Sequence, residues 1–223
     1  MSDSTKEQQL FPRWLRLWHW ANAILFLTLI VTGFSLHFAG VGQGGVGFKL
    51  AVTIHNLFGV ALVGVYLFYL GSMAVTGHWR QYIPRRPLFQ RIYKQVLYYI
   101  WGIFKGAHHP YEACVESRFN PIQQLAYIAC VFAIFPLQIV TGIALLYPDM
   151  APPTVWGMNG LWPAAVGHSV VAYGSCAFLL VHLYLALTVG EEHTGVRAMV
   201  FGDRKPAEGA AHGHAASHRT PGE

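Results

Sequence analysis

Two histidines inside one long apolar run are where this sequence could do chemistry. The stretch from Val166 to Leu187 is apolar enough to span a bilayer, yet it contains His168 and His182, fourteen positions apart. At ~1.5 Å and ~100° per residue, an α-helix separates them by about 21 Å and leaves them about 40° short of four full turns. Both imidazoles therefore project from nearly one face, one near each membrane surface. An ionisable side chain within a membrane helix faces the bundle interior and needs a partner there. Two stacked imidazoles on one helix suit a pair of metal centres, and haem iron held by histidine on both sides is the leading expectation. The rest of the chain must then supply two further ligands.

The elements that position these ligands follow from composition. The chain has 223 residues, 54% hydrophobic and only 11% charged, against roughly 25% charged in soluble domains. A membrane protein is expected, folded as an all-α bundle of four transmembrane helices. These are predicted over about 17–38, 49–76, 121–147 and 164–190, within a membrane domain spanning 17–202. Residues 1–16 form an N-terminal segment, 77–120 a long polar loop, and 203–223 a disordered tail rich in Ala, Gly and His. The apolar stretch 96–104 is too short to cross and predicts an interfacial helix. The first apolar run is too long for the core of a cleavable signal, so it is expected to be retained. Gly40 to Gly47 reads as a loop, since it lacks the strand and lysine of a phosphate-binding turn. The three cysteines, Cys114, Cys130 and Cys176, form no CxxC and read as small buried hydrophobes.

Charge fixes the orientation. Fourteen of the fifteen Lys and Arg fall in the N-terminal segment, the 77–120 loop and the stretch after the fourth helix, and only Lys49 lies on the other side. The positive-inside rule puts both termini and the long loop in the cytoplasm. The net charge of +5 is then the cytoplasmic face of a membrane protein, not a nucleic-acid surface. Topology gives each histidine a depth independently of any pairing. His55 and His168 lie at the outer level, and His19 and His182 at the inner level. Two haem layers result, with the four histidines as axial ligands. Gly59, four after His55, and Gly174, between His168 and His182, could leave room for porphyrin or simply allow close helix packing. Arg16, with Arg13, could pair with haem propionates or with lipid headgroups. His37 shares the face of His19 at the outer level and competes with His55, but it and His78 are read as interfacial. His108 and His109 lie in the loop; His212, His214 and His218 lie in the flexible tail.

The pattern Arg16-Leu-Trp-His19-Trp20, Thr32-Gly33, His55, Asn120-Pro-Ile-Gln123, then His168 and His182, resembles the di-haem cytochrome b subunits of membrane-anchored periplasmic oxidoreductases. That family includes the gamma subunit of formate dehydrogenases, the cytochrome b of thiosulfate reductases and the b-type cytochrome of nickel–iron hydrogenases. The resemblance covers about 13–202. It implies an outer haem between helices 2 and 4 and an inner haem between helices 1 and 4, matching the depth-derived pairs. It also implies a site for menaquinone or ubiquinone near the inner haem, with Asn120 in contact and Gln123 or Gln124 close by. An amide can donate to a quinone carbonyl, though Asn120 could equally only cap helix 3. Glu191, Glu192 and His193 could deliver protons or form a plain solvated helix end.

The expected function is electron transfer across the bacterial cytoplasmic membrane, between a periplasmic iron–sulfur subunit with its molybdenum, tungsten or nickel–iron catalytic partner and the quinone pool. The chain has no cysteine set for an iron–sulfur cluster of its own, so substrate catalysis belongs to those partners. One rival is a stand-alone shuttle of the b561 type. A rival of another class is a transporter lined by histidines.

Overall fold

Long apolar stretches in a low-charge chain leave little choice but helices, because a backbone in hydrocarbon must satisfy its own polar groups. The computed structural model describes residues 11–41, 45–83, 87–108, 110–111, 120–188 and 194–202. Four helical spans within them are long and apolar enough to cross a membrane. Cys114, His109, Arg85, Arg86, Arg118, Glu191, Glu192, His193 and the 203–223 tail with its three histidines lie outside the described residues.

Helix α1 runs Arg13–His37, starting four residues before the expected position. Pro12 sits at its N-cap in extended conformation, and the Pro12 carbonyl accepts from the Leu15 and Arg16 amides at 3.1 and 3.2 Å. Arg13, Trp14 and Arg16 are thereby drawn into the helix. Helix α2, Phe48–Thr76, ends where Gly77 takes a left-handed φ of 70°, a conformation that costs glycine little.

The expected short interfacial helix is longer than predicted. Helix α3 covers Leu88–Leu97, continues through a π turn at Tyr98–Gly102 and closes with a 3-10 turn to Lys105. Phe89, Tyr93, Leu97, Ile100, Trp101 and Phe104 are exposed, whereas Gln95 is fully buried. The apolar stripe at three- and four-residue spacing thus faces outwards, as suits a helix lying in a membrane interface. Counting consecutive apolar residues misses its first half, because polar residues alternate with the stripe.

The third span, Pro121–Leu146, is two helices, α4 (Pro121–Ala129) and α5 (Phe135–Leu146), joined by a π turn at Cys130–Ile134. Pro136 explains the interruption. Proline has no amide hydrogen and crowds the preceding turn, and a π turn relieves both problems. In the wider register the Val131 carbonyl would face the Pro136 nitrogen. The Tyr66 hydroxyl donates to that carbonyl at 2.9 Å instead.

The connection between the third and fourth spans is more ordered than the short loop expected. Thr154–Val155 (β1) pairs antiparallel with Met158–Asn159 (β2). Trp156 (φ 48°) and Gly157 (φ 76°) form the tight turn between them, of the kind with two positive φ angles that matches strand twist. Helix α6 then runs Trp162–Thr188. A last helix, α7 (Thr194–Phe201), ends at Gly202 with φ 89°. Ala198 of α7 is fully buried in the cluster of Phe11, Leu15, Tyr66, Tyr69, Met73 and Val131 that gathers at one end of the bundle. No sequence signal pointed to α7.

Two helical hairpins build the bundle: α1 packs along α2, and α5 packs along α6. Side-chain rings carry α6 to the other hairpin, through Phe34 and His37 against Tyr173 and through the two histidine pairs. The remaining surface is densely apolar and exposed, as lipid contact requires.

Candidate functional site

The helices bring the four expected histidines together in the expected pairs. The ring centroids of His55 and His168 lie 6.2 Å apart, and those of His19 and His182 also lie 6.2 Å apart. That distance is compatible with one shared metal. With ~2.0–2.1 Å per metal–nitrogen bond and about 1.1 Å from each nitrogen to its ring centre, coaxial imidazoles are about 6.2–6.4 Å apart. Among the described residues no three His, Cys, Asp or Glu side chains converge. Each pair therefore offers a metal two donors, and the remaining positions must arrive with the metal, as porphyrin supplies them.

The outer pair faces a cavity of about 450 Å³ whose lining includes Gly33, His37, His55, Gly59, Gln138 and His168. Gly59 has open space where a Cβ would project, which keeps the cavity wide. Gly174 also has open space above it but does not line this cavity. His37 stays out of the pair, its ring set edge-on against Tyr173 and Phe38. His78 lies near the inner end, 3.1 Å from the Thr76 hydroxyl and edge-on to Trp14.

Each outer histidine is held from its own hairpin. Thr32 Oγ1 is 2.9 Å from His55 Nδ1, and Thr141 Oγ1 is 3.0 Å from His168 Nδ1. A Cβ on Gly33 would come within 3.3 Å of His55 Cε1, and one on Gly142 within 3.2 Å of His168 Cε1. The Gln138 amide nitrogen lies 3.1 Å from His168 Nε2. It holds the lone pair that a metal would take, so it must give way when metal binds. Thr141, Gly142 and Gln138 were not anticipated, because α5 carries no histidine to draw attention to it. The available signal was the dipeptide Thr141-Gly142, which repeats Thr32-Gly33.

The inner pair is framed by aromatic rings. Phe178 stacks on His182 at 5.9 Å, and Trp20 meets His19 edge-on at 5.1 Å. His19 Nδ1, Arg16 Nε and Asn22 Oδ1 are buried without a hydrogen-bond partner among the described residues. Buried polar atoms are ordinarily paired; Arg16 Nε and a protonated His19 Nδ1 can donate to an anionic group such as a propionate, whereas Asn22 Oδ1 can only accept and needs a donor. Arg16 is partly committed already. Its Nη1 donates to the Val200 carbonyl at 3.1 Å, where the helix dipole of α7 favours a cation. Trp20 Nε1 donates to the Met199 carbonyl at 3.3 Å. Gly202 permits the close approach, since a Cβ there would fall 2.8 Å from the guanidinium.

The three amides expected at a quinone stand at the start of α4, engaged in structure. Asn120 Oδ1 accepts from the Gln123 amide at 2.9 Å, and the Asn120 amide donates to Gln123 Oε1 at 3.1 Å. This reciprocal pair is a capping box. Asn120 Nδ2 donates one hydrogen to Tyr99 Oη at 2.9 Å. Burial raises the Tyr99 phenol above its ordinary range, against the smaller lowering by Asn120 and Gln95, so it stays protonated at neutral pH. Gln124 Nε2 donates to the Gln81 carbonyl at 2.9 Å, while its Oε1 is buried without a partner among the described residues. Cys130 and Cys176 are free thiols.

Comparison with known proteins identifies the family. Residues 10–202 match the family described as prokaryotic cytochrome b561. The protein of Escherichia coli (strain K12) named cytochrome YdhU is 35% identical over 202 residues, covering 90% of this chain and 76% of that protein. A Cupriavidus necator protein named as a Ni/Fe-hydrogenase B-type cytochrome subunit is 26% identical over 208 residues, covering 82% of this chain and 80% of that one. With four helices able to cross a membrane and a family match over most of its length, the chain belongs to the prokaryotic cytochrome b561 family, as a multi-pass membrane protein for electron transfer through b-type haem.

Proposed function

We propose that this chain is the membrane subunit of a respiratory oxidoreductase, with two b haems stacked across the bilayer. The outer haem is ligated by His55 and His168 and the inner by His19 and His182. The observation that carries this reading is that four histidines meet in two pairs, each with rings 6.2 Å apart, a spacing compatible with a shared iron, and each using α6. A b haem supplies a one-electron iron couple, and two axial imidazoles leave no open position for substrate. The protein's own work is to orient the four rings, exclude water with apolar walls and hold the partly unsatisfied Arg16 beside the inner pair.

The partner on the outer face is an iron–sulfur electron-transfer subunit of a catalytic enzyme. The similarity to a protein named as a hydrogenase cytochrome subunit supports that assignment. The charge bias supports a cytoplasmic location for both termini. Quinone reacts on the cytoplasmic side, at the start of α4, where Gln124 Oε1 is uncommitted and Asn120 Nδ2 has a second hydrogen beyond the one given to Tyr99.

Pyridine haemochrome analysis of purified protein tests the core of this reading. Two non-covalent haems per chain are expected, and a stoichiometry of zero or one overturns it. Purification from native membranes tests the partner. An iron–sulfur protein should accompany the chain, and isolation alone with full haem would favour the stand-alone shuttle.

A further inference from the structure

The two hairpins carry the same device at the outer site. On α1, Thr32-Gly33 faces His55 of α2. On α5, Thr141-Gly142 faces His168 of α6. In both, the threonine hydroxyl hydrogen is already spent within its own helix. Thr32 Oγ1 donates to the Thr28 carbonyl at 2.8 Å, and Thr141 Oγ1 donates to the Leu137 carbonyl at 2.6 Å. Each hydroxyl oxygen can then only accept from the histidine, so Nδ1 carries the proton on both rings. The Nε2 lone pair is left pointing elsewhere. At His168 the same tautomer suits Gln138, whose amide nitrogen lies 3.1 Å from Nε2. The following glycine completes the device: a Cβ at position 33 or 142 would press on the same imidazole carbon, Cε1, from 3.3 or 3.2 Å. The inner site is built differently, since His19 Nδ1 has no partner among the described residues.

We propose that Thr32 and Thr141 are matched positioning residues that fix the tautomer and ring plane of His55 and His168 and so lower the reduction potential of the outer haem. This rests on the ligand assignment above. An Nδ1–H that leans towards an oxygen leaves more electron density on its ring, and a more basic imidazole favours the oxidised iron. Two such bonds act on one iron, one from each hairpin. Glycine at 33 and 142 lets the rings come close enough to make them. Among the described residues His19 has no equivalent brace, so the two sites have different surroundings.

The test is a redox titration of the holoprotein, with the outer haem identified as the one absent from His55→Ala. Thr32→Val and Thr141→Val keep the shape and remove the hydroxyl acceptor, leaving only the Leu29 carbonyl beside His55 and the Gln138 carbonyl beside His168. Each should raise the outer midpoint by up to a tenfold change in the reduction equilibrium, about 59 mV for one electron, and leave the inner midpoint in place. The low-temperature EPR signal of the outer ferric haem should move with it. Thr32→Ser and Thr141→Ser restore the acceptor and should return both signals. Should a valine variant lose the outer haem altogether, recovery in the serine variant still supports the brace. Serine behaving like valine overturns it. Valine variants with unaltered outer potential and EPR signal also overturn the proposal while leaving the haem assignment standing. Wild-type protein without a haem that depends on His55 overturns the assignment itself.

Discussion

At the scale of single residues, the decisive question is which outer-level histidine carries the haem. His37 and His55 both reach the outer end, and periodicity alone leaves them in competition. In the fold, His55 faces His168 at the spacing of a shared metal, whereas His37 rests on Tyr173. His55→Ala should therefore abolish the outer haem band in a reduced-minus-oxidised spectrum. His37→Ala should retain both haems, and the reverse pattern would reassign the pair. The four histidines were legible in the sequence because an ionisable group in an apolar run is conspicuous and helical period gives its face. Their braces were not. Thr and Gly are ordinary in membrane helices, and only the approach of α1 to α2 and of α5 to α6 reveals that each Thr-Gly sits beside a ring. Arg16 illustrates the same limit: its neighbour His19 is local, but its bond to Val200 crosses 184 positions of chain.

At the scale of elements, the start of α4 combines two roles in one side chain, and a pair of substitutions separates them. Asn120 Oδ1 caps the helix and Asn120 Nδ2 is the donor that a quinone oxygen would use. Asn120→Asp keeps a cap acceptor and removes the amide donor, whereas Asn120→Ala removes both. Losing a cap costs about 1 kcal/mol. The alanine variant should therefore melt earlier, and the aspartate variant should melt near wild type. If the amide also serves quinone, haem oxidation by a soluble quinone in stopped flow should slow about tenfold or more in both variants, from the loss of roughly 1.5–3 kcal/mol in a charge-assisted bond. Unchanged rates in both would leave Asn120 as a cap alone. The cap itself was readable from Asn120-Pro121 and Gln123. The break in the third span was not read, although Pro136 announces it. A lone proline in an apolar run kinks some helices and is absorbed in others, and here the hydroxyl of Tyr66 on α2 decides the outcome by satisfying the Val131 carbonyl.

At the scale of the whole molecule, the four spans followed from apolar length, and the distribution of Lys and Arg gives the direction expected for each. The packing order of the helices did not, because every membrane helix presents much the same apolar surface to its neighbours and to lipid. The inward-facing rings are what distinguish the hairpins. Their arrangement has a consequence for how the protein can be made. Helix α6 is the last of the four spans to leave the ribosome, and it carries one histidine of each pair. While α1 to α5 are being inserted, each metal position has a single imidazole, His19 or His55, and neither can be clasped from both sides. If the two histidine pairs hold haem, loading must wait until α6 is inserted, and both positions become competent together when it arrives. A chain truncated before Trp162, inserted into membranes with haem present, should show no six-coordinate low-spin spectrum at either position. Co-expressing the missing segment 162–223 as a separate piece should bring both spectra back at once, and the return of one before the other would refute a common closing step.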